Sequence, residues 1–308
     1  MPAQLDVWIP DDTPDRFLGV LDGVASVHAF PTGKAPSGRL GHGDVLVAAH
    51  HIRSTLWTIP QLDGLQLVQT FSAGVDSLVD RVPPGITLCN ATGVHDVGVA
   101  EWIVMAILAS NRHLLHHAEL QRAGTWGQER RTGEDLDGAQ VLIVGYGSIG
   151  QALETRLRAF GARITRVARK PREGIHGLEE LPNLVVDADT VVCLLPLTPG
   201  TRRAISASTF DRMKDGALFV NASRGGVVDT DALLAATSAG RIRAALDVTE
   251  PEPLPDGHPL WSTPGVLITP HIAGDVRREE ERAWELVVDQ VARLSRGDPL
   301  RNVVDEGY

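Results

Sequence analysis

The chain has 308 residues of which 43% are hydrophobic, enough to bury a core in two compact domains or one large one, so a disordered protein is excluded. With 39 acidic and 29 basic side chains the formal charge is -10, which argues against nucleic acid or an anionic membrane as partner. Two cysteines, Cys89 and Cys193, each inside an apolar run, cannot make a disulfide framework; they read as buried thiols of a reducing compartment, the cytoplasm. The first residues lack a basic segment with a long apolar run, and no stretch of about 18 uncharged apolar residues follows, so no membrane association is expected.

Short Val- and Ile-rich runs bounded by Gly, Pro and Asp alternate with helical patterns along the chain, the rhythm of parallel sheets. The first series predicts strands at Leu5 to Ile9, Val27 to Phe30, Val45 to Ala48, Leu67 to Thr70 and Ile86 to Cys89, together one small open sheet. Asp96 to His117 is apolar on nearly every side, at Val97, Val99, Trp102, Ile103, Met105, Ile107 and Leu108, as in a helix buried between layers. A second series, at Gln140 to Val144, Arg163 to Ala168, Thr190 to Leu195, Ala217 to Asn221, Ala244 to Val248 and Val266 to Thr269, predicts a second sheet. Asp275 to Arg296 places Trp284, Val287, Val288, Val291 and Leu294 at helical spacing, a helix that could carry the chain back to the first domain.

The strand from Val141 runs into Gly145-Tyr146-Gly147-Ser148-Ile149-Gly150, a GxGxxG followed by a helical pattern. Gly145 permits the tight turn, Gly147 lets backbone N–H groups approach a pyrophosphate, and Gly150 allows helix to pack on strand, with the helix N-terminus favouring the anion. A dinucleotide site that prefers NAD needs an acid at the end of the next strand, where this chain has Ala168, Arg169 and Lys170. The two cations attract a 2′-phosphate, which predicts NADP(H) in preference to NAD(H).

Ligands of open α/β sheets gather beyond the carboxyl ends of the strands. Three ionisable residues follow strands there: Arg224 after ALFVNAS, Glu252 in DVTEPEPLP and His271 after VLITP. An arginine, a carboxylate and a histidine around a nicotinamide suffice for reversible hydride transfer to a 2-oxo acid.

Here the sequence resembles the D-isomer-specific 2-hydroxyacid dehydrogenase family over almost its whole length. The ordered motifs are FSAGVD (71–76), VAEW (99–102), VGYGSIG (144–150), LLPLTPGT (194–201), NASRGGVVD (221–229), ALDVTEPEPLP (245–255) and TPHIAG (269–274). The resemblance implies an α/β fold of two domains: a Rossmann-like cofactor domain, 98–275, and a smaller flavodoxin-like substrate-binding domain, 1–97 with 276–308. It also implies an active-site cleft between them and a homodimer built around the cofactor domain. By it Arg224 and His271 are catalytic and Glu252 is their acid, the sixth residue counted from Asp247, with Glu250 a near competitor on the same Pro-rich loop. Backbone N–H groups around Ala73 and Gly74 would hold the substrate carboxylate. Asp247 would lie by the nicotinamide carboxamide, and Leu195, Pro196, Ala222 and Ser223 would border the cofactor beside Gly145, Gly147, Ser148, Ile149 and Gly150.

The residue types fit the chemistry. Protonated His271 gives its proton to the carbonyl oxygen as hydride arrives at carbon, Glu252 holds the ring and favours its charged form, and Arg224 offers a planar charged fork to the substrate carboxylate. The expected activity is reduction of a small 2-oxo acid of the glyoxylate or hydroxypyruvate type. Two other readings share the scaffold: a dinucleotide-sensing regulatory protein, against which the intact Arg224, Glu252 and His271 speak, and formate or phosphite oxidation. Against formate stands Glu252, where those relatives resemble one another in carrying Gln, and against phosphite the lack of a lysine just before FSAGVD. His113, His116 and His117 have zinc-like helical spacing without a completing acid or cysteine, and no metal is expected. His50 and His51 follow the third strand, where two readings stand side by side: one of them touches the substrate, or both belong to a surface loop.

Overall fold

The computed structural model describes residues 4–127 and 131–304. The chain forms two compact units: unit 1 runs to His95 and resumes at Val276, and unit 2 is the continuous stretch Asp96–Asp275.

Unit 1 contains β1 (Leu5–Pro10), β2 (Ala25–Phe30), β3 (Gly41–His42), β4 (Val45–Ala49), β5 (Leu62–Asp63), β6 (Leu67–Thr70) and β7 (Thr87–Cys89). Five of them form a parallel sheet in the order β2-β1-β4-β6-β7, and β3 pairs with β5 as a small separate ribbon. Because side chains alternate along a strand, each apolar run supplies both faces. Val7, Ile9, Val45, Val47 and Leu67 enter one core, while Trp8, Leu46, Ala48 and Val68 enter another with Phe30 and Leu78. The helix Glu279–Arg296 returns to the first of these cores, burying Trp284, Val287 and Val291 beside Phe17 and Phe71. Each such side chain contributes roughly 1.5–3 kcal/mol of burial.

Unit 2 contains β8 (Gln140–Val144), β9 (Arg163–Ala168), β10 (His176–Gly177), β11 (Thr190–Cys193), β12 (Leu218–Asn221), β13 (Arg243–Leu246) and β14 (Val266–Ile268). They form one seven-stranded parallel sheet ordered β10-β9-β8-β11-β12-β13-β14. Strand order reverses at β8, which lies between β9 and β11, so the crevice for a ligand falls at the carboxyl end of β8. The helices Asp96–Asn111 and Ser148–Ala159 cover one face with Ile103, Ile107, Leu153 and Leu157. The other face packs Leu142, Val144, Val191 and Phe219 against Phe210 and Leu233.

The main departures from the sequence reading are local. The predicted helix Asp96 to His117 is two helices, Asp96–Asn111 and Leu114–Arg122, because His113 takes a left-handed φ of 52° at the polar Asn-Arg-His step. Val97 and Met105, placed by the sequence reading in a buried helix, are 38% and 43% exposed. The return helix starts at Glu279 instead of Asp275. The two-residue strands β3, β5 and β10 are too short to leave a periodic signal. Both cysteines are free and buried; burial pushes the Cys89 thiol up to about 11 and the Cys193 thiol up as well. Among the described residues no helix is long and apolar enough to cross a membrane.

Candidate active site

In unit 2 the loops after β8, β12, β13 and β14 carry the polar groups singled out above. Gly145 has φ +103°, and a Cβ there would lie 2.5 Å from the backbone carbonyl of Leu194, so the switch point closes only around glycine. A Cβ on Gly150 would come within 3.1 Å of the Tyr146 ring and 3.4 Å of Ile143, the close helix–strand packing that the motif predicts. At Gly147 a Cβ would meet no protein atom within 4 Å. No packing constraint asks for glycine at that position; space for a pyrophosphate against bare backbone does. Gly147 is also the N-cap of the helix Ser148–Ala159 and makes no side-chain cap, which leaves the first N–H groups for an anion. These features fit a dinucleotide.

The other cofactor positions divide. The Ser148 hydroxyl donates to Asp96 Oδ1 at 3.0 Å, so only its backbone remains at the helix terminus, and Ile149 packs against the core. Leu195, expected to border the cofactor, turns its side chain into the core at 3% exposure, and Pro196 beside it is exposed. Thr201 donates to the Pro196 carbonyl at 2.6 Å and accepts from Thr198 N–H at 2.8 Å, folding the turn of LLPLTPGT; sequence reasoning gave it no role. Ala222 and Ser223 are half-buried. Arg169 and Lys170 are exposed after β9, and Arg172 Nη2 lies 3.5 Å from the Tyr146 carbonyl, bringing a third cation to the glycine turn.

A network missed from sequence supports that turn. The Tyr146 hydroxyl donates to Glu154 Oε2 at 2.5 Å, and the same buried carboxylate accepts from Arg158 Nε at 2.7 Å and from both Nε and Nη2 of Arg166. The forked Arg166 bond holds the Glu154 carboxyl down at about 2, so it stays ionised near neutral pH, while burial pushes the Tyr146 hydroxyl up. Arg166 also lies over the Tyr146 ring at 5.5 Å. The residue between the first two glycines is thereby fixed from below by an ion cluster whose spacing, twelve positions from Glu154 to Arg166, crosses from helix to strand and leaves no periodic mark.

At the far strands the geometry is compact. His271 Nδ1 is 2.6 Å from Glu252 Oε1. Glu250 is exposed, and its contribution is a backbone carbonyl that accepts from Thr230 Oγ1 at 2.9 Å; the carboxylate on His271 belongs to Glu252. His271 has φ +55°, sparsely populated for a side chain of its size, and its N–H donates to the Asp247 carbonyl at 2.7 Å. Asp247, expected by a carboxamide, gives its buried carboxylate to this loop: Oδ1 accepts from Thr269 Oγ1 at 2.6 Å and Ile272 N–H at 2.8 Å, and Oδ2 from Ala273 N–H at 2.9 Å. The left-handed histidine is therefore held from both sides by the end of β13.

Arg224 follows β12 in extended conformation, φ -141°, half-buried. Asn221, at 1% exposure, sets its path: Nδ2 donates to the Arg224 carbonyl at 3.1 Å, and Oδ1 accepts from Ser223 N–H at 3.1 Å and Ser223 Oγ at 2.8 Å. Next to it Gly225 lies so close to the β13 exit loop that a Cβ would sit 1.9 Å from the Thr249 carbonyl oxygen. Backbone contact thus ties the arginine loop to the loop carrying Glu252.

In unit 1, Ala73 and Gly74 are half-buried. Gly74 N–H donates to Ser72 Oγ at 3.2 Å, so one amide that the sequence reading offers to a substrate carboxylate is already engaged. His51 pairs with Asp12 at 3.0 Å, whereas His50 approaches Glu279. Of the histidines at zinc-like spacing, His113 stands outside the helix with its Nε2 2.9 Å from the Thr132 carbonyl, and the His116 and His117 rings lie 5.4 Å apart. Among the described residues the one set at metal-ligand spacing is Asp6, His42 and Asp44, near the amino ends of β1 and β4. Its carboxylates are engaged by His28 at 2.7 Å, Gln66 at 2.8 Å and the Asp6 N–H at 2.9 Å.

The sequence profile of the D-isomer-specific 2-hydroxyacid dehydrogenase NAD-binding domain matches residues 104–273. The chain is similar to human glyoxylate reductase/hydroxypyruvate reductase, 33% identical over 271 residues that cover 84% of this chain and 82% of that one. It is also similar to D-3-phosphoglycerate dehydrogenase of Methanocaldococcus jannaschii, 31% identical over 276 residues; 87% of this chain aligns there, spanning about half, 52%, of that longer protein. Among solved structures, a D-isomer-specific 2-hydroxyacid dehydrogenase from Xanthobacter autotrophicus in complex with NADPH and MES superposes with a TM-score of 0.81 at 29% identity, covering 98% of each chain.

Proposed function

Since the chain belongs to the D-isomer-specific 2-hydroxyacid dehydrogenase family, we propose that it reduces a small 2-oxo acid of the glyoxylate or hydroxypyruvate type with NADP(H). The observation that carries the reading is the 2.6 Å bond between Glu252 and Nδ1 of a strained, doubly anchored His271. When bound, the nicotinamide supplies or accepts the hydride. Glu252 takes the Nδ1 side of the imidazole, so Nε2 is the atom that hands a proton to the carbonyl oxygen in reduction and recovers it in oxidation. Arg224 binds the substrate carboxylate through its planar fork and polarises the carbonyl. Asp247 keeps His271 in place, and Thr201 and Asn221 shape the loops on either side.

NADP(H) preference follows from Arg169 and Lys170 at the end of β9, with Arg172 nearby, where an NAD site would carry an acid. Two buried thiols suit a reducing compartment, the cytoplasm. The assay is oxidation of NADPH and of NADH with glyoxylate and hydroxypyruvate. Turnover is expected, with kcat/KM higher for NADPH, and replacing Arg169 and Lys170 together by Ala should remove about 10- to 100-fold of that advantage, the worth of one or two charge-assisted bonds. A better rate with NADH in the unmutated protein would reject the cofactor preference, and silence on every 2-oxo acid would reject the reading.

Unit 2 also exposes a groove of about 600 Å³ with an apolar floor that includes Met105, Leu108 and Phe160 and with Glu101, Arg112 and Arg156 also in its lining. Leu115 and Trp126, at 48% and 99% exposure, extend the apolar character of that unit's surface. A patch of this kind marks an association surface, and a second copy of the chain is its occupant. Light scattering should give twice the 33.1 kDa protomer mass, and a monomer would refute the assignment.

A further inference from the structure

At the amino edge of the unit 1 sheet, Asp6 lies near the start of β1, Asp44 just before β4, and His42 at the end of the ribbon strand β3. One ligand atom from each lies within 4.8 Å of the other two. His42 Nε2 stands 3.4 Å from Asp44 Oδ1. That is longer than a good N–H···O bond, yet it is the edge of a zinc tetrahedron: two ligands each about 2.0–2.2 Å from the ion lie about 3.3–3.5 Å apart. Groups behind the three residues hold them in place. His28 Nε2 lies 2.7 Å from Asp6 Oδ1, Gln66 Nε2 donates to Asp44 Oδ1 at 2.8 Å, and the Asp6 N–H donates to Asp44 Oδ2 at 2.9 Å. A carboxylate has about four acceptor sites, so one or two such bonds leave room for a metal. Trp8 fixes both histidines: its ring stacks on His28 at 5.0 Å, and its Nε1 donates to the His42 carbonyl at 2.9 Å. The His42 ring itself rests on bare backbone, because a Cβ on Gly64, at φ +79°, would sit 2.5 Å from its Cε1.

Charge points the same way. The Asp44 side chain is only 10% exposed and its carboxylate adjoins that of Asp6. Among the described residues, the ion-pair partners of these two carboxylates are His28 and His42, neither of them a permanent cation. Two like charges this close repel, and a divalent ion between them removes that cost. An imidazole beside two carboxylates is a donor set for zinc and its neighbours in the transition series, whereas magnesium and calcium take oxygen alone. The His42 side chain is 56% exposed, which opens the site to an ion from solvent and leaves its fourth position to water.

We propose that Asp6, His42 and Asp44 bind a divalent transition-metal ion of the zinc class, with His28 and Gln66 as outer partners that orient the carboxylates. The ion would tie the β3–β5 ribbon to β1 and β4 at the edge opposite the one where ligands of such sheets gather, so its role is structural and the hydride-transfer reading does not depend on it. The ligands come from three separate strands, which is why no helical spacing pointed to them. The test is calorimetric titration of the full-length protein, first stripped with a chelator, with zinc chloride. One saturable zinc per chain is expected, together with a rise in melting temperature that the chelator reverses. His42→Ala should abolish that binding. His28→Phe, which keeps a ring on Trp8 and loses the donor to Asp6, should weaken it by about 10- to 100-fold, the usual effect of removing an outer partner. Both variants change side chains at least 41% exposed, and circular dichroism checks that they fold. Replacing His116 and His117 together by Ala should leave the binding unchanged. Absence of saturable zinc binding, binding that survives His42→Ala, or binding lost only with His116 and His117 overturns the proposal. Magnesium binding as tightly as zinc overturns the assignment to a transition metal.

Discussion

His271→Asn should lower kcat by about 10²- to 10⁴-fold while leaving NADPH binding, followed by its fluorescence, close to that of the unmutated protein. Asparagine tolerates the left-handed backbone that this position requires, so the loop bonds to Asp247 survive and the loss reports the missing proton donor. Glu252→Gln should cost less, about 10- to 100-fold, since the ring keeps its Nε2 and loses the charge at Nδ1. Glu250→Gln should stay within about twofold, as its carboxylate has no part in the pair. The double variant of His271 and Glu252 should be little worse than His271→Asn, the non-additivity expected of residues that act as a unit. Equal losses at Glu250 and Glu252, or a neutral His271→Asn, would break the proposed mechanism.

Gly225→Ala should be the most damaging single methyl in unit 2. The added carbon would overlap the Thr249 carbonyl oxygen at 1.9 Å, and both atoms are held by backbone, so the exit loops of β12 and β13 must part. Overpacking of this kind costs roughly 3 kcal/mol, which for a unit of this size lowers the melting temperature by about 6 to 12 °C. Activity should fall further than stability predicts, because the same displacement moves Arg224 away from the loop of Glu252 and His271. Calorimetry and kcat/KM measured on the same preparation separate the two effects. Gly147→Ala is the informative contrast: its Cβ meets no protein atom, so it should fold normally and weaken dinucleotide binding. A Gly225→Ala protein with normal melting and rate would show that the two loops do not need their contact.

Much of the fold could be read from buried parallel strands, because a strand covered on both faces is an unbroken apolar run with sharp polar ends. Leu67 to Thr70, Gln140 to Val144 and Arg163 to Ala168 coincide with β6, β8 and β9 to the residue. Helix ends were less legible: no Gly or Pro marks Asn111-Arg112-His113, where the helix breaks at the left-handed His113 and the step bonds to Thr132 and Arg243. In the candidate site the three glycines and the Glu252–His271 pair were legible through motif order. The supporting groups were not. Asp247 sits in the same motif as Glu252, yet its three bonds run to a loop more than twenty residues away, and Tyr146, Glu154 and Arg166 meet only after a helix has crossed to the next strand. Within unit 1, His50 and Glu279 approach each other across 229 positions of the chain, which no local pattern marks.

That discontinuity bears on how the polypeptide reaches its native state on a ribosome. The stretch from Asp96 to Asp275 leaves the exit tunnel with everything its own sheet requires, and it can close while translation is still under way. The sheet of unit 1 emerges before that stretch but has to wait, its Phe17 and Phe71 side uncovered, for the helix made after it to bring Trp284, Val287 and Val291. Whatever shields nascent apolar surface is needed longer by unit 1 than by unit 2.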